Sequence, residues 1–293
     1  MNGFLVVDKP AGMTSHDVVN AVRRIAETRR VGHTGTLDPL ATGVLVLALG
    51  AATRLVQFID NNDKTYRATL RLGETTTTYD ADGETVESCP VTVSHAEVEA
   101  ALASFRGAIA QVPPMYSAIK VKGQKLYKLA RQGKEIERAP RSVTLHRLDV
   151  LDWALPDVTI EVVCSAGTYV RSLAHDLGQQ LGCGAHLIAL TRTAAGEFRL
   201  ADAYTLEALR ALAQAGRLAE ALLPLTTALT ALPVVMLTPE QVQAVGFGQM
   251  VMLDDAPDVP LAQARDAAGQ LVAVMLPVEP GMWRPKLVFT SAD

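Results

Sequence analysis

Cysteine is scarce in this chain of 293 residues: Cys89, Cys164 and Cys183 are the whole complement, an odd number with no framework of pairs, which fits a reducing compartment. Long apolar runs are missing too. "GVLVLALG" (43–50) is far shorter than the roughly 20 residues of a membrane span, and "MNGFLVVDKPAGM" at the N-terminus lacks the basic stretch and apolar core of an export signal. These absences predict a cytoplasmic protein with no membrane partner. Nor is there an excess of positive charge: 27 Lys and Arg stand against 31 Asp and Glu, a formal net charge of -4, which as a total argues against an anionic partner. What is plentiful is apolar side chain, 49% of the residues, enough for one large domain or a large one with a small companion.

Cofactor and metal motifs are absent as well. No G-x-G-x-x-G supports redox chemistry, and the glycine-rich "GHTGTLDPLATG" (32–43) is followed by Val44-Leu45 where a phosphate-binding loop needs Lys and then Ser or Thr. His175, Cys183 and His186 lie close in sequence, but no second pair completes a four-ligand zinc site. "DADG" (80–83) opens like a calcium loop, yet Val91 stands where the closing acid belongs, so it reads as a turn. Ser15, His16 and Asp17 have the residue types of a hydrolase triad, but adjacent side chains point in different directions. The expectation is a reaction without metal or cofactor.

What the 32–43 stretch does offer is one carboxylate, Asp38, among His33, Thr34, Thr36, Thr42 and three glycines, in what reads as a loop. Two readings stand. Asp-Pro starts turns, because Asp bonds its own backbone and Pro fixes φ. Alternatively the loop binds a phosphate or a base and Asp38 acts as nucleophile or base, which a lone carboxylate can do when the leaving group is good.

Periodicity predicts a mixed α/β (α+β) chain. A buried strand at 4–7 leads through a turn to a helix opened by Thr14 or Ser15, with Val18, Val19, Val22 and Ile25 on one face. "KTYRATLRLG" (64–73), "RSVTLHRLDVLDW" and "VTIEVVCSAGTYV" alternate as strands with one solvated face. Ser94 and Glu97 form a capping box, and a helix with Val170, Leu173, Leu177 and Leu181 on one face stops at Gly182. From 232 onward short apolar runs alternate with Gly, Pro and Asp, so the chain divides into 1–231 and a small, mainly β module, 232–293.

The charge is unevenly spread. Residues 117–147 carry nine Lys and Arg, among them Lys120, Lys122, Lys125, Lys128 and Arg131, against two acids, Glu135 and Glu137. Such a run reads as a solvated helix face or as an electrostatic footprint for phosphates, with Tyr116 and Tyr127 as stacking surfaces.

"GHTGTLDPLATGVL" resembles the central motif of the TruB family of tRNA pseudouridine synthases. "GFLVVDKPAGMTSHDVV", "DKTYRATLRLG", "VPPMYSAIKVKGQKLYKLARQG" and "CSAGTYVRSLAHDLGQQLGCGAHLIALTRTAAGEF" are similar to further motifs of that family, in the family's order. The resemblance implies a pseudouridine synthase fold with a mixed, largely antiparallel central sheet and flanking helices. It implies cofactor-free isomerisation of a uridine in the tRNA T loop, position 55 in tRNA numbering. Its partner is then the T arm of tRNA, with no obligatory protein partner and a monomeric state. By the same resemblance Asp38 is the catalytic aspartate, Tyr66 stacks on the target base and Arg171 pairs with the aspartate. His33 takes up space in the flipped loop, Leu190 belongs to the uracil pocket, and Tyr169, Lys9 and Asp80 lie near the site. The set is chemically coherent: the target base must leave the stack, an aromatic face receives it, and an arginine favours the ionised form of a neighbouring acid. Attack on the sugar, addition to the base and removal of a sugar proton all remain open to the carboxylate. Residues 232–293 look like a degenerate PUA-type RNA-binding domain, ending in Trp283, Arg284, Pro285 and Val288.

This chain departs from the family at Thr75 and Thr77, where an Arg and an acid are common, and at Thr191, where paired arginines are common, and these changes bear on RNA binding. A non-catalytic T-arm chaperone and the guide-RNA-dependent branch of the superfamily are the competing classes. The intact Asp38, Tyr66 and Arg171 speak against the first, and the lack of extra basic termini against the second. A glycosidase would usually need two carboxylates. If the basic stripe meets phosphates, reversing Lys122 and Lys125 to Glu weakens RNA binding and flattens its salt dependence, by about 0.7–0.9 in the log–log slope for each phosphate no longer neutralised. Filter binding across a salt series checks this, and an unchanged slope removes the stripe from the interface.

Overall fold

The apolar run at 43–50 is covered on both faces. In the computed structural model, which describes residues 1–59, 62–117, 119–121, 123–130, 132–253 and 257–289, it forms a central strand of a nine-stranded sheet. In chain order, β1 (Gly3–Lys9), α1 (Ser15–Ile25), β2 (Val31–Thr34) and β3 (Thr42–Leu49) lead through a 3-10 turn into α2 (Val56–Ile59) and β4 (Lys64–Leu72). A side hairpin, β5 (Glu74–Thr76) and β6 (Thr85–Ser88), precedes α3 (His95–Ala103) and β7 (Gly107–Gln111). A second hairpin, β8 (Lys120–Val121) and β9 (Gln124–Lys125), runs into α4 (Leu126–Ala130). β10 (Arg141–Ala154), β11 (Asp157–Cys164), α5 (Val170–Leu181), β12 (Ala185–Ala195), β13 (Phe198–Arg199) and α6 (Leu206–Gln214) complete the first unit.

The main path of the sheet runs β1-β3-β12-β4-β11-β10-β7. All neighbours on it are antiparallel except β3 and β12, which join in parallel at Thr42–Thr191 and Gly43–Arg192. The mixed, largely antiparallel sheet expected from the sequence is thus the one found. On β1 and β3, Leu5, Val7, Leu45, Leu47 and Leu49 pack toward α1, α5 and α6, while Phe4, Val6, Val44, Val46 and Ala48 pack on the opposite face with Leu55, Ile59 and Phe198. Coverage on both faces explains the unbroken apolar run. β4 lies further along and alternates: Tyr66, Ala68, Leu70 and Leu72 are buried, Arg67 and Arg71 exposed.

Local signals set the helix ends. Thr14 caps α1 in a reciprocal box with Asp17, Ser94 does the same with Glu97 for α3, and Gly182 ends α5 in the left-handed conformation at φ 75°. One expectation is corrected: the loop reading of 32–43 holds only from Gly35, because Val31–Thr34 pair with β3 from Leu49 to Val46. The helix-face reading of the basic stripe also gives way, since the described residues of the stripe lie on the β8–β9 hairpin, the five-residue α4, the coil after it and the start of β10.

A five-stranded sheet in the order β14 (Val234–Met236), β16 (Ala262–Arg265), β17 (Leu271–Glu279), β18 (Met282–Val288), β15 (Val251–Met252), with α7 (Pro239–Gly246), forms a second unit around the buried Trp283. Leu271, Val274 and Phe289 extend the apolar layer behind β1 and β3, and Arg54 donates to the Val288 carbonyl at 2.6 Å. No helix among the described residues is long and apolar enough to cross a membrane.

α5 reaches the sheet through Gly178, where a Cβ would overlap the backbone of Gly184 and Ala185. Helix propensity alone favours alanine there by about 1 kcal/mol. Gly178→Ala is nevertheless expected to lose about 1–3 kcal/mol, because backbone cannot yield as a side chain can. Urea unfolding against wild type reads the sign.

Candidate active site

The loop from Gly35 to Ala41 is held from several sides. Ser15, buried at the start of α1, donates through Oγ to the Leu37 carbonyl at 3.0 Å and accepts from the Leu37 amide at 2.8 Å. The Gly12 amide donates to the Pro39 carbonyl at 2.8 Å. Arg192 on β12, 1% exposed, donates Nε to the Val44 carbonyl at 2.7 Å and Nη2 to the Gly35 carbonyl at 3.1 Å. The turn reading of Asp38-Pro39 is also correct, since the Ala41 amide bonds the Asp38 carbonyl at 3.1 Å.

Lys9 is fully buried, and its ammonium donates to the carbonyls of Pro10 at 2.8 Å, Met13 at 2.6 Å and Pro39 at 3.3 Å. Burial pushes it down to about 8, with the Asp38 charge working against that shift. Lys9, which the resemblance places near the site, has its three N–H groups committed to carbonyls and so fastens the loop.

Arg171, in the first turn of α5, organises the acids. Nη2 meets Asp38 Oδ2 at 2.8 Å and the Tyr116 carbonyl at 2.8 Å, while Nη1 meets Asp80 Oδ2 at 3.3 Å and the Thr78 carbonyl at 3.2 Å. The Arg171 and Asp80 side chains are each 6% exposed, whereas Asp38 is 42% exposed. Asp80 also accepts from the Thr78 hydroxyl and the Asp82 amide, so it is a fixed counter-charge turned away from solvent. Gln111 holds Tyr169 by both backbone groups, amide at 2.8 Å and carbonyl at 3.0 Å, just before α5.

Asp38, Tyr66, Tyr169, Arg171 and Leu190 line one cleft of about 290 Å³, with Arg192 at its wall. Burial pushes the Tyr66 and Tyr169 phenols up, and for Tyr66 the Arg192 charge opposes it. His33 lies on β2 opposite Leu47 and is not part of this lining. Of the basic set, Lys128 is exposed on α4, Lys120 and Lys125 pair across the hairpin backbone, and Lys122 and Arg131 lie outside the described residues. Thr191, one of the departures, shares a hydroxyl hydrogen bond of 2.9 Å with Thr42 across the β3–β12 joint. Sequence reasoning gives Arg192 no part in the site. Its signal is its place two residues after Leu190 in a strand, hence on the same face.

A family model described as "TruB family pseudouridylate synthase (N terminal domain)" matches residues 23–170, and "tRNA pseudouridylate synthase B C-terminal domain" matches 171–230. Proteins named tRNA pseudouridine synthase B are similar over most of the chain. The one from Pseudomonas aeruginosa (strain UCBPP-PA14) is 46% identical over 99% of this chain and 97% of its own. The one from Syntrophotalea carbinolica is 50% identical over 85% and 81%. Among solved structures, "Structure of H/ACA RNP bound to a substrate RNA containing 2'-deoxyuridine" superposes with a TM-score of 0.76 at 26% identity, covering 99% of this chain and 86% of that chain.

Arg171 is buried with two acids, so removing it strands Asp80 without its cation. Arg171→Met is expected to lose about 3–5 kcal/mol of stability, and Arg171→Met combined with Asp80→Leu to recover most of it. Denaturant unfolding of the two single variants and the double closes the cycle, and simple additivity would show that the pair does not interact.

Proposed function

Because the chain belongs to the TruB family and isomerises uridine in tRNA to pseudouridine, we propose that its target is the T-loop uridine at position 55 and that Asp38 is the catalytic aspartate. The observation that carries the reading is the half-exposed Asp38 carboxylate, held at 2.8 Å by buried Arg171 at the cleft that Tyr66 and Leu190 line. The target base leaves its stack and enters against the Tyr66 ring, with Leu190 as the apolar wall. The bond from nitrogen 1 to the sugar breaks, the uracil turns in the cleft, and carbon 5 joins the same sugar carbon. Carbon 5 releases its hydrogen as a proton and nitrogen 1 gains one, so nothing is oxidised and no water is added.

In this reading Arg171 sets the Asp38 carboxylate, while Asp80, Lys9 and Arg192 hold the parts that carry it. Tyr169 lines the cleft, and His33 on β2 meets the rearranged RNA loop beside it. Lys120, Lys122, Lys125, Lys128 and Arg131 neutralise phosphates of the T arm. Residues 1–231 form the catalytic domain and 232–293 a PUA-like RNA-binding module. The higher identity to the tRNA enzymes than to the ribonucleoprotein neighbour favours a stand-alone monomer working on tRNA in the cytoplasm.

The test is a T-arm stem-loop with tritium at carbon 5 of its uridines. Wild type is expected to release tritium to water, and a target uridine changed to cytidine to abolish release. Asp38→Asn, a near-isostere, is expected to lose at least about 10³-fold in rate while still binding RNA. Release from a different uridine would overturn the position, and full activity of Asp38→Asn would overturn the residue.

A further inference from the structure

A second cleft, of about 480 Å³, lies behind Arg171. The Thr78 and Tyr116 carbonyls that receive the guanidinium belong to residues lining this cleft, so Arg171 and its partners stand between it and Asp38. Its walls come from the turn after β5, the segment before β8 and the coil after α4, with His175 of α5 among them. Apart from the Thr78 and Tyr116 carbonyls on Arg171, the isomerisation uses none of these groups.

Three features of the cleft bear on what it could hold. Tyr79 adopts φ 65°, a left-handed conformation unusual for a bulky residue, and its ring lies flat on His175 with centroids 3.9 Å apart and planes 11° from parallel. Strain of this kind persists where surroundings over-determine it and clusters at ligand clamps. Arg138, whose side chain is 14% exposed, has among the described residues only Glu135 as an ion pair, at 3.7 Å and itself 85% exposed. A buried guanidinium is costly unless well paired. Finally, Arg138 Nε and His175 Nδ1 are buried without a hydrogen-bond partner among the described residues, and both side chains line this cleft. Native structures leave few such atoms, and each asks for a reason. Burial holds His175 below its ordinary range, so the ring faces the cleft region as a neutral imidazole with one unmatched nitrogen.

One part of the cleft is cationic, Arg138 with Lys134, and one is aromatic, with the Thr75–Thr78 run alongside. Its volume falls within the roughly 300–1,000 Å³ of ligand sites. We propose that this cleft holds a second unpaired nucleotide of the RNA, its phosphate on Arg138 and Lys134 and its base against the Tyr79–His175 pair. Stacking on an aromatic face tolerates any base, while the cations require the phosphate. The proposal rests on the reading of the chain as an enzyme acting on a tRNA loop.

The test pairs protein and RNA changes. Filter binding and tritium release are measured for wild type, Arg138→Gln and Tyr79→Gly on the T-arm stem-loop and on a series in which each loop nucleotide except the target is made abasic in turn. The expected result is a Kd raised about tenfold in both variants, with release at saturating RNA within about twofold of wild type. One abasic RNA is expected to weaken wild-type binding by the same factor, and on that RNA the variants lose nothing more. Should Tyr79→Gly not fold, Arg138→Gln carries the comparison alone, its guanidinium having only an exposed acid as ion pair among the described residues. Unchanged Kd in the variants, or losses that simply add on every abasic RNA, would overturn the proposal. So would free uridine monophosphate whose binding needs Arg138 while stem-loop binding does not. Binding alone decides the cleft and release alone decides the reaction, so failure of one is distinguishable from failure of the other.

Discussion

The Arg171 guanidinium is the group on which the site depends. Two carboxylates and two carbonyls converge on its terminal nitrogens, and they come from the 35–41 loop, the turn after β5 and the segment that follows β7. A charge this buried is tolerable only when its donors find partners, so the guanidinium and its acids stand or fall together. The three segments are far apart in the chain and meet only when α5 has docked on β12. The Asp38-Pro39 turn is local, but the place of the loop in the site is set by tertiary structure.

That docking happens at a change in the character of the sheet. β1 and β3 are apolar on both faces, β4 on one, and between them β12 joins β3 in parallel over a short stretch. β12 carries register shifts on both sides of Leu190 and Arg192, where it pairs with β4. Irregularities of this kind re-aim side chains and interrupt pairing, which is how a strand in mid-sheet can face a cleft. The tight approach of Gly43 to the Arg192 backbone, at φ 91°, brings the end of the loop against the strand that holds Arg192. A side chain at 43 would push these two strands apart.

Elements with a local cause were legible in the sequence. Thr14, Ser94 and Gly182 mark helix ends because capping is a matter of a few adjacent residues, and β4 shows its alternation because one of its faces is wet. The failures share the opposite cause. Val31–Thr34 pairs with β3, but nothing in "VGHT" announces a partner that lies beyond an intervening loop. Lys9 in sequence is one more lysine beside a proline; that it is buried on three carbonyls depends on Met13 and Pro39 arriving from elsewhere. Asp80 reads as a turn residue and is one, and its second task as counter-charge to Arg171 becomes visible only in space. The family resemblance named Asp38, Tyr66, Tyr169, Arg171 and Leu190 of the cleft; the tasks of Lys9 and Arg192 had to come from the geometry.

That geometry bears on why one acid suffices for the proposed chemistry. Glycosidic hydrolysis uses two carboxylates because a leaving group must be protonated and a water activated. Here the second carboxylate, Asp80, sits across Arg171 and away from solvent, so it balances charge without reaching a substrate. The neighbouring cations are similarly occupied: Lys9 donates to three carbonyls, Arg192 to those of Val44 and Gly35, and Arg171 to two carbonyls and two acids. A uracil detached from its sugar must turn before it rejoins, and strong new hydrogen bonds from the walls would hold it in one orientation. Tyr66 and Leu190 offer faces against which a ring can rotate, whereas the cations are tethered to backbone and acids. In the proposed chemistry Asp38, with its side chain 42% exposed and held by Arg171, is the carboxylate that faces the reacting bond.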